Sequence, residues 1–349
     1  MQAKTVNLED AVGRILSHDL TKIVRGKFKG PAFRKGHLIC REDIEELLKM
    51  GKENVYVLEL AEDELHEDDA GIRLGAAAAG AGIKCCQPKE SRVSLFAEYA
   101  GLLKINLAVL EAVNDLPEVV LSTLPNNTPV IKGEMVAGTK VIPLAVKEDI
   151  IISAEKICRE SGGILRIAPY QKLKAAVIVT GSEVYSGRIK DEFGPVLKEK
   201  IESFGSTVDE IEYAPDNAQE ISRLINGAID RGAEIVLVSG GMSVDPDDVT
   251  PLGIRLSGAV IEKYGAPVLP GAMFLLAYKK DAAVLGVPAC GMFFRTTVLD
   301  IVLPRLFTKE KVKKYDLVAL AHGGLCRSCP ECRYPRCSFG LAGSGFQLA

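Results

Sequence analysis

Three continuous apolar segments alternate with amphipathic helix patterns in the second half of the chain, and this alternation restricts the fold more than any other feature. The apolar segments are KAAVIVT at 174–180, EIVLVSGG at 234–241 and AAVLGVP at 282–288. The helix patterns cover 191–205, 217–232 and 292–307. Strands that are apolar on both faces and alternate with helices are typical of a parallel sheet with helices on both sides. We therefore predict a three-layer α/β domain with a mostly parallel sheet.

The length and the glycine and proline positions predict how the chain is divided. A chain of 349 residues has room for two or three domains. Gly162, Gly163 and Pro169 indicate a boundary just before the first apolar segment. We predict a mixed α+β N-terminal region at 1–170, which could divide again near 60–90. The α/β domain then occupies 171–310, and a cysteine-rich tail occupies 311–349.

The charge balance and the hydropathy exclude several classes of partner. The 43 Lys and Arg residues and 46 Asp and Glu residues give a formal net charge of −3, so there is no broad basic field for duplex nucleic acid. Trp is absent and aromatic residues make up 6% of the chain, which leaves few stacking platforms for single strands. No apolar run approaches the roughly 18 residues of a membrane helix, and the N-terminal sequence lacks the apolar stretch of a secretory signal. We expect a cytoplasmic protein with a small-molecule ligand.

Small, hydroxyl and acidic residues stand at the ends of two apolar strands. The first strand runs into TGSE, and the second into SGGMSVDPDDVTP. Parallel α/β sheets bind ligands beyond the carboxyl ends of their strands, so these two loops form the candidate site. Successive glycines can present backbone N–H groups to a phosphate, and carboxylates supply the oxygen ligands that Mg²⁺ prefers. The candidate ligand-binding residues are Thr180, Gly181, Ser182, Ser239, Gly240, Gly241, Ser243, Asp245 and Thr250.

A purely structural interpretation of the second loop stays open. In it, Asp247 or Asp248 caps the helix that Pro251 begins, and the segment is only a turn. This interpretation accounts for Asp-x-Thr-Pro but not for the preceding Gly-Gly-Met-Ser.

These loop sequences resemble a known family. KAAVIVTGSEVYSGRIKDEFGPVL and VLVSGGMSVDPDDVTP look like the molybdopterin-binding fold shared by molybdopterin adenylyltransferases and molybdopterin molybdotransferases, over about residues 174–308. The resemblance of VNLEDAVGRILSHDLT to the opening of the molybdotransferases is weaker. The likeness implies a role in molybdenum cofactor synthesis, with molybdopterin or its adenylate over the two loops together with Mg²⁺. In the adenylyltransferases the pterin phosphate attacks the ATP α-phosphate, whereas in the molybdotransferases the adenylate is hydrolysed as molybdate is inserted.

The resemblance also assigns roles to single residues. It implies that Asp248 helps to hold Mg²⁺ and that Glu183 matches the Glu of the molybdotransferases' Gly-Asp-Glu motif, which makes these two the candidate catalytic residues. Ser182 stands where that motif has Asp, so a carboxylate expected near the metal is missing. Pro270 and Gly271 match the family's Pro-Gly loop and are further candidates for binding the ligand.

Two other loops depart from the family pattern. Ala272 stands where a Lys often follows the glycine, and Ala289 and Cys290 replace the Gly and Asn of a later loop. Charged clamps stabilise a transferring phosphoryl group, and two charged side chains of the family are missing at Ser182 and Ala272, so the resemblance supports binding better than turnover.

The C-terminal segment HGGLCRSCPECRYPRCSFG carries four closely spaced cysteines. In a reducing cytosol such crowding indicates a metal site before it indicates disulfides, although a flexible tail with free or disulfide-linked thiols stays open. The continuous spacing favours a [4Fe–4S] cluster, and four thiolates also suit tetrahedral Zn²⁺. The other five cysteines are predicted to be small core residues. The candidate metal ligands are Cys326, Cys329, Cys332 and Cys337.

We therefore expect a molybdotransferase-like, homo-oligomeric enzyme of molybdenum cofactor synthesis. The alternative is a non-catalytic molybdopterin carrier or sensor whose metal tail reports redox state or docks a molybdoenzyme or a cofactor-synthesis partner. A third possibility is a phosphate-ester enzyme on the same fold that acts on another nucleotide, because a fold does not fix the substrate.

Overall fold

The computed structural model describes residues 4–24, 28–57, 60–89 and 91–341. The strands are β1 (Lys4–Asn7), β2 (Leu20–Val24), β3 (Phe28–Phe33), β4 (Asn54–Val57), β5 (Glu64–His66), β6 (Ile83–Cys85), β7 (Val93–Ala97), β8 (Gly101–Ile105), β9 (Val119–Thr123), β10 (Pro129–Val130), β11 (Met135–Val141), β12 (Ala145–Lys147), β13 (Leu165–Pro169), β14 (Lys174–Thr180), β15 (Thr207–Ala214), β16 (Ile235–Ser239), β17 (Val260–Tyr264), β18 (Leu275–Lys279) and β19 (Ala282–Val287). The helices are α1 (Leu8–Ala11), α2 (Asp43–Lys49), α3 (Glu67–Ala78), α4 (Leu107–Asn114), α5 (Glu148–Glu160), α6 (Ser182–Tyr185), α7 (Phe193–Glu202), α8 (Ala218–Asp230), α9 (Thr250–Leu256), α10 (Cys290–Phe293), α11 (Val298–Phe307) and α12 (Lys314–Ala319).

These residues divide into two compact units. The first comprises the described parts of 1–99, 105–124 and 132–167, and the second those of 100–104, 125–131 and 168–349. Within the described residues, no helix is both long enough and apolar enough to cross a bilayer.

The first unit contains a four-stranded antiparallel sheet in the order β6-β7-β11-β9. The helix α3 packs on this sheet through its small residues: a Cβ added to Gly75 would lie 3.0 Å from a Val93 methyl carbon. Alanine and glycine allow this close approach, because a larger side chain would overlap the sheet. A separate small core forms around Leu16, Leu47 and Val57.

The second unit contains a six-stranded sheet in the order β15-β14-β16-β19-β18-β17. The first four strands are parallel, and β18 and β17 are antiparallel. The side chains of β14 alternate between two cores, with Val177 packed on one face and Ile178 on the other. The helices α7, α11 and α12 cover the first face, and α8 and α9 cover the second. This arrangement confirms the predicted three-layer α/β fold, in which apolar strands are covered on both sides.

One predicted helix is interrupted. The pattern at 292–307 predicts a continuous helix, but α10 ends at Phe293 and α11 begins only at Val298. The Thr297 hydroxyl accepts the Leu299 N–H, and the Asp300 carboxylate accepts the Thr297 N–H in return. This reciprocal cap satisfies free backbone donors and starts a new helix inside the apolar run.

Candidate functional site

The parallel strands bring several loops to one edge of the second-unit sheet, which we call the strand-end edge. Thr180 of β14 pairs with Ala214 of β15, and Ser239 of β16 pairs with Val287 of β19, so all four strands end at this edge. Because β18 runs antiparallel to β19, the 265–274 loop that precedes β18 also opens there. Five loops therefore border this edge: the loops after β14, β15, β16 and β19, and the 265–274 loop.

Thr180 joins the first loop to the second. Its hydroxyl donates to the Ser239 carbonyl at 2.9 Å and lies 3.1 Å from the Thr250 hydroxyl. Gly240 and Gly241 have φ of +90° and +55°. A Cβ on Gly240 would lie 2.3 Å from the Thr180 carbonyl oxygen, and one on Gly241 would lie 2.9 Å from Thr250 Oγ1. The two loops are thus in direct contact, and the glycines permit that contact.

The Glu183 carboxylate folds back over the first loop. Gly181 has φ of +139°, and a Cβ added there would lie 3.2 Å from Glu183 Oε1. Glu183 is exposed and lies in the first turn of α6, the short helix that follows β14. Its carboxylate is therefore accessible to solvent at the strand-end edge.

Asp248 closes a turn in the second loop. Its Oδ2 accepts the Asp245 N–H at 3.0 Å, and its own N–H donates to the Asp245 carbonyl. Burial and the negative charge of Asp248 both raise the pKa of Tyr264, whose hydroxyl donates to the Met242 carbonyl at 2.9 Å. The Asp248 carboxylate is therefore close enough to the end of β17 to affect the ionisation of Tyr264.

The helix-cap interpretation of the second loop is wrong in part. The helix α9 begins at Thr250, and its N-cap residue, Val249, makes no side-chain cap bond. Neither Asp247 nor Asp248 caps it, although Asp248 does close the turn. Ser243 and Asp245 are exposed on this loop, so their side chains are free to meet solvent.

Asp216 is a candidate that the sequence reasoning missed. It follows β15, and its Oδ2 accepts the Ser182 N–H at 2.8 Å, while its own N–H donates to the Ser182 hydroxyl at 3.3 Å. A carboxylate thus lies directly beside the serine that replaces the motif Asp. Pairing of β15 with β14 places it there, and the available signal was its position after a strand, just ahead of the Asn217 cap.

The Pro270–Gly271 loop also belongs to this edge. Pro270 is half-buried, while Gly271 is buried with φ of +123°. A Cβ on Gly271 would lie 2.6 Å from a Val298 methyl carbon, so the loop rests against the start of α11.

Ser239, at the end of β16, carries a buried hydroxyl. The residue is 0% exposed, and its Oγ has no hydrogen-bond partner in the described part of the chain. A buried hydroxyl without a partner carries a desolvation cost.

The four C-terminal cysteines are not drawn together into a ligand set. Cys326, Cys332 and Cys337 are half-buried, and Cys329 is exposed. Across residues 4–24, 28–57, 60–89 and 91–341, no group of three or more His, Cys, Asp or Glu side chains is arranged to hold a metal ion. The prediction for the other five cysteines is wrong for Cys40 and Cys86, which are exposed, whereas Cys158 is buried.

Comparison with known proteins places the second-unit sheet in a family. Residues 176–308 match the family model described as "Probable molybdopterin binding domain". This part of the chain is a domain of that family. Residues 5–59 match a second model, described only as a domain of unknown function, DUF8806.

Curated relatives match the molybdopterin-binding-type domain over short stretches. The molybdenum cofactor biosynthesis bifunctional protein of Chlorobaculum tepidum is 29% identical over 105 residues, which are 30% of this chain and 33% of that protein. A CinA-like protein of Sulfurihydrogenibium is 34% identical over 97 residues, 28% of this chain and 22% of that protein. The chain thus spans no more than a third of the length of these relatives.

Among solved structures, the molybdopterin biosynthesis enzyme MoaB from Thermus thermophilus is similar with 18% identity and a TM-score of 0.33, covering 40% of this chain and 99% of that one. The CinA protein from Thermoplasma acidophilum is 17% identical, with a TM-score of 0.32. The match covers 34% of this chain and 90% of that one.

Proposed function

We propose that the domain at 176–308 binds molybdopterin or molybdopterin adenylate with Mg²⁺ and acts as a molybdotransferase-like enzyme of molybdenum cofactor synthesis. The observation that carries this proposal is the contact at Thr180, where the first and second loops meet beside the Glu183 carboxylate. Ligands of parallel α/β sheets bind at such strand ends. The family match of the domain supplies the class of ligand.

The oxygen donors at the strand-end edge suit Mg²⁺. Glu183, Asp216 and Asp248 present carboxylates from three neighbouring loops. Mg²⁺ commonly takes one or two carboxylates together with waters and substrate phosphate, so three converging protein ligands are not required. A phosphate placed among carboxylates is repelled by them, and a bound divalent cation offsets that repulsion.

Some residues of this edge would contact the ligand phosphate, and others hold the two loops in position. The amides of Gly240 and Gly241 would face the phosphate, because two successive positive φ angles turn the backbone sharply at this point. The Asp216 carboxylate fixes the Ser182 N–H and so holds the first loop in place. Thr180 keeps the two loops in register beneath the ligand.

Hydrolysis of molybdopterin adenylate by the full chain, with and without Mg²⁺, tests the proposal. We expect Glu183→Gln to lower the rate by about a hundredfold, the usual effect of removing one group that stabilises transition-state charge. Glu202→Gln is the matched control, since Glu202 is an exposed glutamate at the far end of α7. Equal rates for the two variants would contradict the catalytic assignment.

A non-catalytic carrier or sensor is the second candidate, and the side chains at 182, 272, 289 and 290 favour it. Ser182, Ala272, Ala289 and Cys290 all stand where the resembling enzymes carry other groups. Tight binding of molybdopterin by the wild type with no hydrolysis of the adenylate would support the carrier. A larger thermal shift with other nucleotides than with molybdopterin would support a different substrate on the same fold.

The cysteine-rich tail is proposed to bind Zn²⁺ or a [4Fe–4S] cluster, on the strength of the Cys-x2-Cys-x2-Cys-x4-Cys spacing. The described geometry does not gather the thiols, so no catalytic step is assigned to such a group. Metal analysis and a visible spectrum of protein purified without oxygen test this. Broad absorption near about 400 nm supports the cluster, a colourless zinc-loaded protein supports Zn²⁺, and metal-free protein contradicts both.

We propose a cytoplasmic homo-oligomer that meets a molybdoenzyme or a cofactor-synthesis partner, and light scattering and affinity purification test these points.

A further inference from the structure

Tyr264 lies at the strand-end edge and binds the second loop. It ends β17 and pairs with Leu275, where β18 starts from that edge. Its hydroxyl donates to the Met242 carbonyl at 2.9 Å. Burial and the charge of Asp248 raise the pKa of Tyr264, so the hydroxyl keeps its proton and donates at neutral pH. An edge strand that is separated from β16 by two strands thus supplies a hydrogen bond to the loop that follows β16.

The Met242 side chain fixes the same loop from inside the domain. Met242 is 3% exposed, and a Cβ added to Gly286 of β19 would lie 2.6 Å from the Met242 Cε. The side chain therefore fills the space that this glycine leaves on the sheet. The Gly241 carbonyl, one residue earlier, accepts the Thr250 N–H at 3.2 Å. The loop is therefore held at the Gly241 carbonyl, the Met242 side chain and the Met242 carbonyl.

The bond from Tyr264 fixes the direction of the next backbone donor. In a trans peptide, the carbonyl of one residue and the N–H of the next lie in one plane and point in opposite directions. The Met242–Ser243 peptide is trans, so its N–H points away from Tyr264. Because β14 and β17 lie on opposite sides of β16, this N–H is turned toward the side of the first loop. Within the described part of the chain no group accepts it, and Ser243 is exposed, so the donor is open to a ligand.

We propose that Tyr264 is a positioning residue, whose hydroxyl holds the Met242 carbonyl so that the Ser243 N–H faces the ligand phosphate. The inference rests on the proposed function for the identity of the ligand. An amide that is already oriented stabilises an anion without a loss of freedom on binding. Without the hydroxyl, this peptide is free to rotate and to turn the negative end of its carbonyl toward the phosphate. Tyr264 acts through the loop and is assigned no contact with the ligand.

The substitution Tyr264→Phe in the full chain tests this role, because it removes the hydroxyl and keeps the ring. Tyr278→Phe is the matched control. Tyr278 of β18 donates to the Val312 carbonyl at 3.0 Å and pairs with Val260, at the opposite end of β17 from Tyr264. Urea unfolding checks that both variants remain folded. We expect only Tyr264→Phe to weaken molybdopterin binding, by about fivefold, and to leave the affinity for dephosphorylated molybdopterin unchanged.

Turnover gives a second readout. For hydrolysis of the adenylate, we expect Tyr264→Phe to raise KM about fivefold with kcat unchanged, as for the loss of a contact made equally in the ground state and the transition state. A partly unfolded variant would instead lower kcat at constant KM. Equal losses of affinity for the phosphorylated and dephosphorylated ligands, or a lower kcat at constant KM, overturn the positioning role. If the chain does not hydrolyse the adenylate, the comparison of the two affinities decides alone.

Inorganic phosphate as a second probe separates this inference from the proposed function. Wild type that binds phosphate but not molybdopterin, with a lower phosphate affinity in Tyr264→Phe, supports the positioning role and contradicts the proposed function. Molybdopterin binding that is the same in wild type and Tyr264→Phe overturns the positioning role alone. Binding of neither probe overturns both.

Discussion

The substitution Gly240→Ala tests whether contact between the two strand-end loops stabilises the domain. Gly240 has φ of +90°, and an added Cβ would lie 2.3 Å from the backbone oxygen of Thr180. Gly232 is a matched control: its φ is +92°, but a Cβ there would meet nothing within 4 Å. Both substitutions carry the cost of a left-handed conformation, about 1–2 kcal/mol.

The two variants differ in what the new methyl group disturbs. At Gly240 the added Cβ would overlap a backbone oxygen, which cannot rotate away as a side chain can. The ends of β14 and β16 must therefore move apart to make room for it. That movement breaks the bond from Thr180 to the Ser239 carbonyl and the contact with Thr250, at about 1 kcal/mol each. We therefore expect Gly240→Ala to lower the free energy of unfolding by about 2 kcal/mol more than Gly232→Ala.

Urea unfolding followed by far-ultraviolet circular dichroism measures this difference, because the chain has no Trp to serve as a fluorescence probe. Only Gly240→Ala is expected to weaken ligand binding as well. Equal losses of stability in the two variants would refute the reasoning, since the left-handed backbone would then explain both.

Three further outcomes are expected. Asp216→Asn removes a charge but keeps an acceptor for the Ser182 N–H, so the free energy of unfolding should change by less than about 1 kcal/mol. The Mg²⁺-dependent affinity for the ligand, measured by calorimetry, should fall about tenfold. An unchanged affinity would contradict a role of Asp216 at the cation. Ser239→Ala removes a buried hydroxyl without a described partner and should leave stability unchanged or raise it by about 1 kcal/mol in urea; a marked loss would reveal a partner. Burial raises the pKa of Tyr278 to about 12, so the folded state resists its ionisation and stability should fall as pH rises from about 10. Tyr278→Phe should reduce the loss of stability at alkaline pH, measured by urea unfolding at a series of pH values. The same pH dependence in the variant and the wild type would contradict this assignment to Tyr278.

The sheet was predictable because burial leaves a strong local pattern. The interior residues of β14, β16 and β19 are continuously apolar, as strands covered on both faces must be. Of the antiparallel strands, β17 gave no such signal because it is a partly exposed edge strand. The apolar residues of β18 directly follow the Pro270–Gly271 loop, and the sequence reasoning assigned them to that loop.

Sheet order explains what sequence reasoning missed at the site. Asp216 reaches Ser182 only because β15 pairs beside β14, and neighbour order cannot be deduced from strand patterns alone. In the same way, the Cys spacing predicted a metal tail but not its bonds to Leu269. Those bonds join segments more than 50 residues apart, and local patterns carry no information about them.

A crystal structure of the full chain with molybdopterin or its adenylate and Mg²⁺ tests the central claim most directly. We expect the ligand phosphate at the amides of Gly240 and Gly241, with the cation between it and the carboxylates of Glu183, Asp216 or Asp248. Ligand density away from the strand-end edge would contradict the proposed site. So would crystals grown with saturating ligand that show no bound ligand.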